Sequence, residues 1–150
     1  MNIINMFFKV KYVNFKMQAK ELKTVVLGPR IGKTKWIKSL FNSNCQTAYS
    51  TTVGVQVTPY EMGSLEKDGT SQIYRLNLWE VGSQYRGLGK EYCKDVDIAI
   101  IFMDSEEKYK EYEKWVSNIP KVYVNDILVQ NIIQEIWQII LCNKKYKSNL

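Results

Sequence analysis

The stretch Val25-Val26-Leu27-Gly28-Pro29-Arg30-Ile31-Gly32-Lys33-Thr34 constrains this chain more than any other. Three apolar residues read as a short buried strand, a glycine-containing loop follows, and Gly32-Lys33-Thr34 opens a helix. Strand, backbone cradle and helix start, in that order, make a phosphate-binding loop. Glycines allow backbone N–H groups to turn inward and approach phosphate oxygens. In that motif Lys33 reaches the β/γ-phosphates and the Thr34 hydroxyl ligates Mg²⁺. Pro29, Arg30 and Ile31 put only three residues between the glycines, where the motif has about four. Either the loop is trimmed or Leu27 replaces the first glycine.

With 150 residues, 45% hydrophobic and 24% charged, the chain suits one globular domain with a single core. It contains no histidine, which excludes Ser-His and Cys-His nucleophilic catalysis and histidine metal sites. Chemistry must come from backbone amides, lysine, carboxylates, hydroxyls and carboxamides. The net charge of +6 arises from lysines spread along the chain, with no aromatic-rich nucleic-acid signature among them. A solvated basic surface and no nucleic-acid partner are expected. Cys45, Cys93 and Cys142 have no paired spacing, which points to a reducing, cytoplasmic setting. No apolar run approaches the ~18 residues of a membrane span, and Asn2 and the C-terminal residues carry no lipidation signal. Neither a transmembrane segment nor a lipid anchor is expected.

Residues 1–20 read as an N-terminal extension, and 21–150 as the folded domain. The extension is open to three readings: an added edge strand, a membrane-surface segment, or sequence upstream of a start at Met17. Leu22 to Leu27 is the first strand, and Trp36, Ile37, Leu40 and Phe41 mark one face of the helix after Thr34. The hydroxyl-rich Tyr49-Ser50-Thr51-Thr52 leads into an alternating strand, Val53 to Val57, with Pro59 suggesting a sheet edge. The Asp68-Gly69 turn and the strand Ile73–Trp79 complete a hairpin. A loose glycine-containing helix (Gly87, Gly89) follows, and Ile98–Met103 reads as a central parallel strand. Ser105 would cap the next helix, Val122–Val124 forms a further strand, and Asp126 precedes an apolar helix carrying Val129 to Leu141. Alternating strands and helices imply an α/β domain with a mostly parallel sheet. Ligands of such sheets bind at the carboxyl ends of the strands. The segments 28–34, 80–84 and 125–126 all fall on that edge.

Over roughly residues 22–142 the chain resembles a small Ras-like GTPase. Thr52-Val53-Gly54-Val55-Gln56-Val57 is similar to the switch I strand of Ran and Rab proteins. Trp79-Glu80-Val81-Gly82-Ser83-Gln84 is similar to the Arf switch II pattern Trp-Asp-Val-Gly-Gly-Gln. Asp104 and Trp115 also sit where Rab-like chains have them. The resemblance implies a P-loop, Ras-like G domain with a mostly parallel central sheet flanked by helices, compact at its C-terminal end. It implies Mg²⁺ as cofactor and GTP or GDP as ligand. Residues Gly28, Pro29, Arg30, Ile31, Gly32, Lys33 and Thr34 would hold phosphates. Thr34 and Thr52 would give the two metal-binding hydroxyls, and Glu80 would stand in for the carboxylate behind the Mg²⁺ shell. The Ser83 amide would sense the γ-phosphate and Gln84 would orient the attacking water. Asn125 and Asp126 would lie at the base. Effector or regulator proteins would meet residues 49–57 and 80–92, and a monomer is expected.

Four departures from that pattern oppose full activity. Glu80 is a methylene longer than aspartate, and Mg²⁺ demands near-octahedral geometry. Ser83 lacks glycine's freedom, and Arg30 puts bulk beside the γ-phosphate. Asn125-Asp126 lacks the spacing of the guanine-reading Asn-Lys-x-Asp, while the alternative Asn143-Lys144-Lys145-Tyr146 lacks its carboxylate. The sequence therefore supports two functions: a nucleotide-binding switch with weak GTP hydrolysis, or a pseudo-GTPase that binds partner proteins with little or no turnover.

Overall fold

A computed structural model describes residues 18–28, 32–41, 54–65, 71–82, 89–103, 106–125 and 131–143. Among the described residues the five strands are β1 (Lys20–Leu27), β2 (Val55–Leu65), β3 (Ser71–Val81), β4 (Ile98–Phe102) and β5 (Lys121–Val124). They form one sheet in the order β2-β3-β1-β4-β5. β1 is parallel to β3 and β4, β4 is parallel to β5, and only β2 runs antiparallel, against β3. The helices are α1 (Lys33–Ser39), α2 (Glu106–Trp115) and α3 (Ile132–Cys142), with a 3₁₀ turn at Gly89–Cys93.

β4 and the second half of β1 are buried on both faces, which is why Ile98–Phe102 and Val25–Leu27 run apolar without a break. Alternation along the strands divides the core in two. Val26, Leu76, Leu78, Ile100, Phe102 and Val124 face Trp36 and Ile37 of α1 and Ile132, Ile136 and Ile140 of α3. Val25, Leu27, Val81, Ala99 and Ile101 face Tyr112 of α2 and Val116 just beyond it. The last helix therefore shares a face with the first. Its buried isoleucines, Ile132, Ile136 and Ile140, recur every fourth residue and form one stripe.

Two boundaries differ from the sequence expectation. β2 and β3 are longer than read, each 11 residues in continuous register from Val55↔Val81 to Leu65↔Ser71. Pro59 is accommodated because β2 is an edge strand and needs no second ladder. α3 is capped by the Asn131 side chain, which accepts from the Gln134 amide at 3.1 Å, and begins at Ile132. The expected helix start near Val129, the Ser105 cap, the extension before residue 18 and Asp104 lie outside the described residues. Among the described residues, no helix is long and apolar enough to cross a membrane.

Candidate functional site

β1 ends at the carboxyl edge of the sheet. Leu27 is still a strand residue, paired with Ile101 and fully buried, so the turn starts at Gly28. Gly28 has φ +141°, and a Cβ there would collide with the Phe102 carbonyl and lie 2.9 Å from the Phe102 Cβ. Only glycine tolerates both constraints. Gly32, at φ +102°, is the second left-handed position and opens α1 by accepting the Trp36 amide at 2.8 Å. The two glycines thus bracket the loop and turn the chain from strand into helix.

Lys33 is the first residue of α1, and its side chain turns back to the end of β1. Its Nζ donates to the Gly28 carbonyl at 2.6 Å, and the side chain is only 3% exposed. Burial lowers its pKa from 10.5 to about 8, and the negative charge of Glu80 opposes that shift. A cationic donor is therefore held on its own loop's carbonyl, one strand away from a carboxylate.

Glu80 occupies the equivalent place on β3. Its backbone is paired with Val26 of β1 and Gln56 of β2, and it too is only 3% exposed. The Thr34 hydroxyl donates to its carboxylate. Thr34 and Glu80 are separated by 46 positions in sequence, and parallel pairing of β1 with β3 brings them to one point. Two hard oxygen donors beside a cationic side chain suit Mg²⁺ and phosphate. Among the described residues no cluster of three or more Cys, Asp or Glu could hold a metal. A cation between these oxygens would therefore take further ligands from phosphate and water, as Mg²⁺ ordinarily does.

Asn125 follows β5 on the same edge, where it is exposed. Phe102 of β4 links the two ends of this edge. Its carbonyl abuts Gly28, it pairs with Val124, and the next amide, Met103, donates to the Val124 carbonyl at 3.0 Å. Two strand spacings, about 10 Å, separate β1 from β5, a nucleoside's length between phosphate and base.

The structure thus brings Gly28, Gly32, Lys33, Thr34 and Glu80 together and puts Asn125 further along the edge. Pro29, Arg30, Ile31, Thr52, Ser83, Gln84 and Asp126 lie outside the described residues. Sequence reasoning missed Phe102, the wall behind Gly28. Its only signal was its place at the end of an apolar run, which marks core and carries no hint of a loop contact.

A comparison with curated proteins finds no match. The family model described as Ras of Complex, Roc, domain of DAPkinase matches residues 23–137, more than half of the chain and from within β1 to within α3. The match supports the Ras-like superfamily and does not single out a Rab-, Ran- or Arf-like subfamily. The matched span contains the glycine turn, Lys33, Thr34 and Glu80, and by this match the chain belongs to the Roc family of Ras-like GTPase domains, a nucleotide-binding fold.

Proposed function

We propose that this domain is a Mg²⁺-dependent guanine-nucleotide switch whose own GTP hydrolysis is slow. The observation that carries this reading is the buried Lys33 ammonium resting on the Gly28 carbonyl beside the Thr34–Glu80 pair. Phosphate exchanges a neutral carbonyl partner for an anionic one, and charge-assisted hydrogen bonds are roughly twice as strong. Lys33 would then hold the β/γ-phosphates, with the loop N–H groups of Gly28 and of Arg30 to Thr34 around them. Thr34 and Thr52 would offer hydroxyls, and Glu80 a carboxylate, to Mg²⁺, which neutralises phosphate charge when bound. Gln84 would orient water, and the Ser83 amide would face the terminal phosphate. Asn125 and Asp126 are the base-proximal residues of this reading.

Catalysis in such a site is positioning and electrostatics. Losing one transition-state donor costs on the order of 10²-fold, and Arg30, Glu80 and Ser83 all perturb placement around one retained glutamine. Single-turnover GTP hydrolysis should be no faster than an unassisted Ras-type rate, about 10⁻⁴ s⁻¹. Glu80→Asp combined with Ser83→Gly should raise it. A far faster wild-type rate without any partner protein would remove the argument from those residues. Without the Asn-Lys-x-Asp spacing, preference for GTP over ATP should be modest. Complete resistance of a bound GTP analogue to excess ATP would show an intact guanine site.

A second reading is favoured by Glu80 specifically: a partner-binding domain that holds nucleotide without turnover. The partner surface would be residues 49–57 and 80–92, and the domain would act as a monomer in the cytoplasm. Nucleotide binding with no measurable hydrolysis selects it.

A further inference from the structure

We infer that Glu80 ligates the divalent cation directly, next to Thr34, and not through an intervening water. This rests on the proposed nucleotide site and concerns how this chain's own glutamate serves it.

Glu80 cannot retreat from the site. Its main chain is clamped between Val26 of β1 and Gln56 of β2, and Val81 continues the pairing beyond it, to Val55. The extra methylene, about 1.5 Å of reach, is therefore taken up by the side chain alone. It carries the carboxylate onto the Thr34 hydroxyl. With both side chains in hydrogen-bond contact and Glu80 only 3% exposed, no water separates these two oxygen donors.

Coordination geometry converts that contact into a prediction. Adjacent oxygens of an octahedral Mg²⁺ shell, each 2.0–2.1 Å from the metal, lie about 3 Å apart, which is hydrogen-bond spacing. A cation resting on the Thr34 hydroxyl oxygen thus finds a Glu80 oxygen beside it, within the span of one coordination shell. A water-mediated carboxylate must stand back by roughly 2 Å more, the added length of a hydrogen bond less the direct ligand distance. An aspartate on the same main chain would end about 1.5 Å further back, most of that setback, and the glutamate removes it.

Mn²⁺ with GDP tests this by electron paramagnetic resonance, counting bound waters from line broadening in ¹⁷O-enriched water. With one phosphate oxygen, Thr34 and Glu80 as ligands, a six-coordinate ion keeps about three waters; with Glu80 behind a water it keeps about four. The wild-type protein should show the lower count and Glu80→Asp one water more. The wild-type count stands alone if the variant does not fold. Equal counts in the two proteins, or about four waters in the wild type, overturn direct ligation while leaving the nucleotide site intact. Absence of any GDP-dependent Mn²⁺ binding overturns both, and free Mn²⁺ in the same spectrum reports it.

Discussion

Lys23, in the first half of β1, and Lys33, just beyond its far end, each donate from Nζ to a main-chain carbonyl. Lys23 reaches Lys94 at 2.8 Å and Lys33 reaches Gly28 at 2.6 Å. Around Lys23 everything else is also tied. Its amide donates to the Asp97 carboxylate at 2.9 Å, the Asp97 amide returns to the Lys23 carbonyl at 2.9 Å, and its ammonium lies 4.4 Å from the Trp79 ring centre. Those partners belong to elements that the fold must hold together, so Lys23 is a fastening between β1, β3 and the turn before β4. Among the described residues, Lys33 donates only to Gly28 of its own loop, from a buried position where charge is disfavoured. The same hydrogen bond is structural at one end of the strand and exchangeable at the other, and burial beside Glu80 makes the difference.

Substituting each lysine separates these roles. Lys33→Ala should weaken nucleotide binding by on the order of 100-fold or more, the loss of a charge-assisted buried contact, with the domain still folded. Lys23→Ala should leave affinity unchanged and lower unfolding stability by about 1 kcal/mol, the range of an exposed cation–π contact plus one hydrogen bond. Calorimetric titration and thermal melts on both variants measure this. Equal effects of the two changes on affinity would erase the contrast.

Gly28→Ala attacks the exchangeable end through its backbone. The positive φ and the collision with Phe102 should together cost about 2 kcal/mol or more. At Gly63 of β2 a Cβ meets nothing within 4 Å and φ is ordinary, so Gly63→Ala should stay within about 0.5 kcal/mol. Denaturant unfolding of the pair checks it.

Acidity probes Lys33 alone. In the free protein it loses its proton near pH 8, whereas phosphate favours the charged form. Affinity should therefore fall as pH rises above about 8, by up to tenfold per unit, with proton uptake on binding. Stability of the free protein moves oppositely. The folded pKa lies below the ordinary 10.5, so between about 8 and 10.5 the unfolded chain binds more protons and Lys33's contribution to stability rises with pH. Titrations in buffers of different ionisation enthalpy detect the uptake. A flat profile through pH 9 would place Lys33 away from the phosphates.

Within the core of β1, Thr24 is fully buried, and among the described residues its hydroxyl has no hydrogen-bond partner. Thr24→Val should raise stability by about 1 kcal/mol without touching either lysine's role, as a melt would show.

Much of this was legible in the residues. The unbroken apolar runs at Val25–Leu27 and Ile98–Phe102 specify buried parallel strands, and Gly32-Lys33-Thr34 marks where strand turns to helix. The hairpin's length was not legible, because Tyr60 to Leu65 mixes polar, glycine and apolar residues that become a strand only through pairing with β3. Nor was the contact of Thr34 with Glu80, a consequence of sheet order and not of spacing in the chain. Asn131 as the cap of α3 was hidden among several polar residues, any of which suits a helix start.

Everything proposed for the carboxyl edge around Lys33 requires that it hold a guanine nucleotide. The most direct test is to denature the purified protein, incubated beforehand with Mg²⁺ and equimolar GDP, GTP and ATP and then freed of unbound ligand, and to identify what it releases by chromatography. The account predicts close to one nucleotide per chain, predominantly guanine, and almost none from Lys33→Ala. Release of no nucleotide from the wild type, or the same amount from Lys33→Ala, would contradict it.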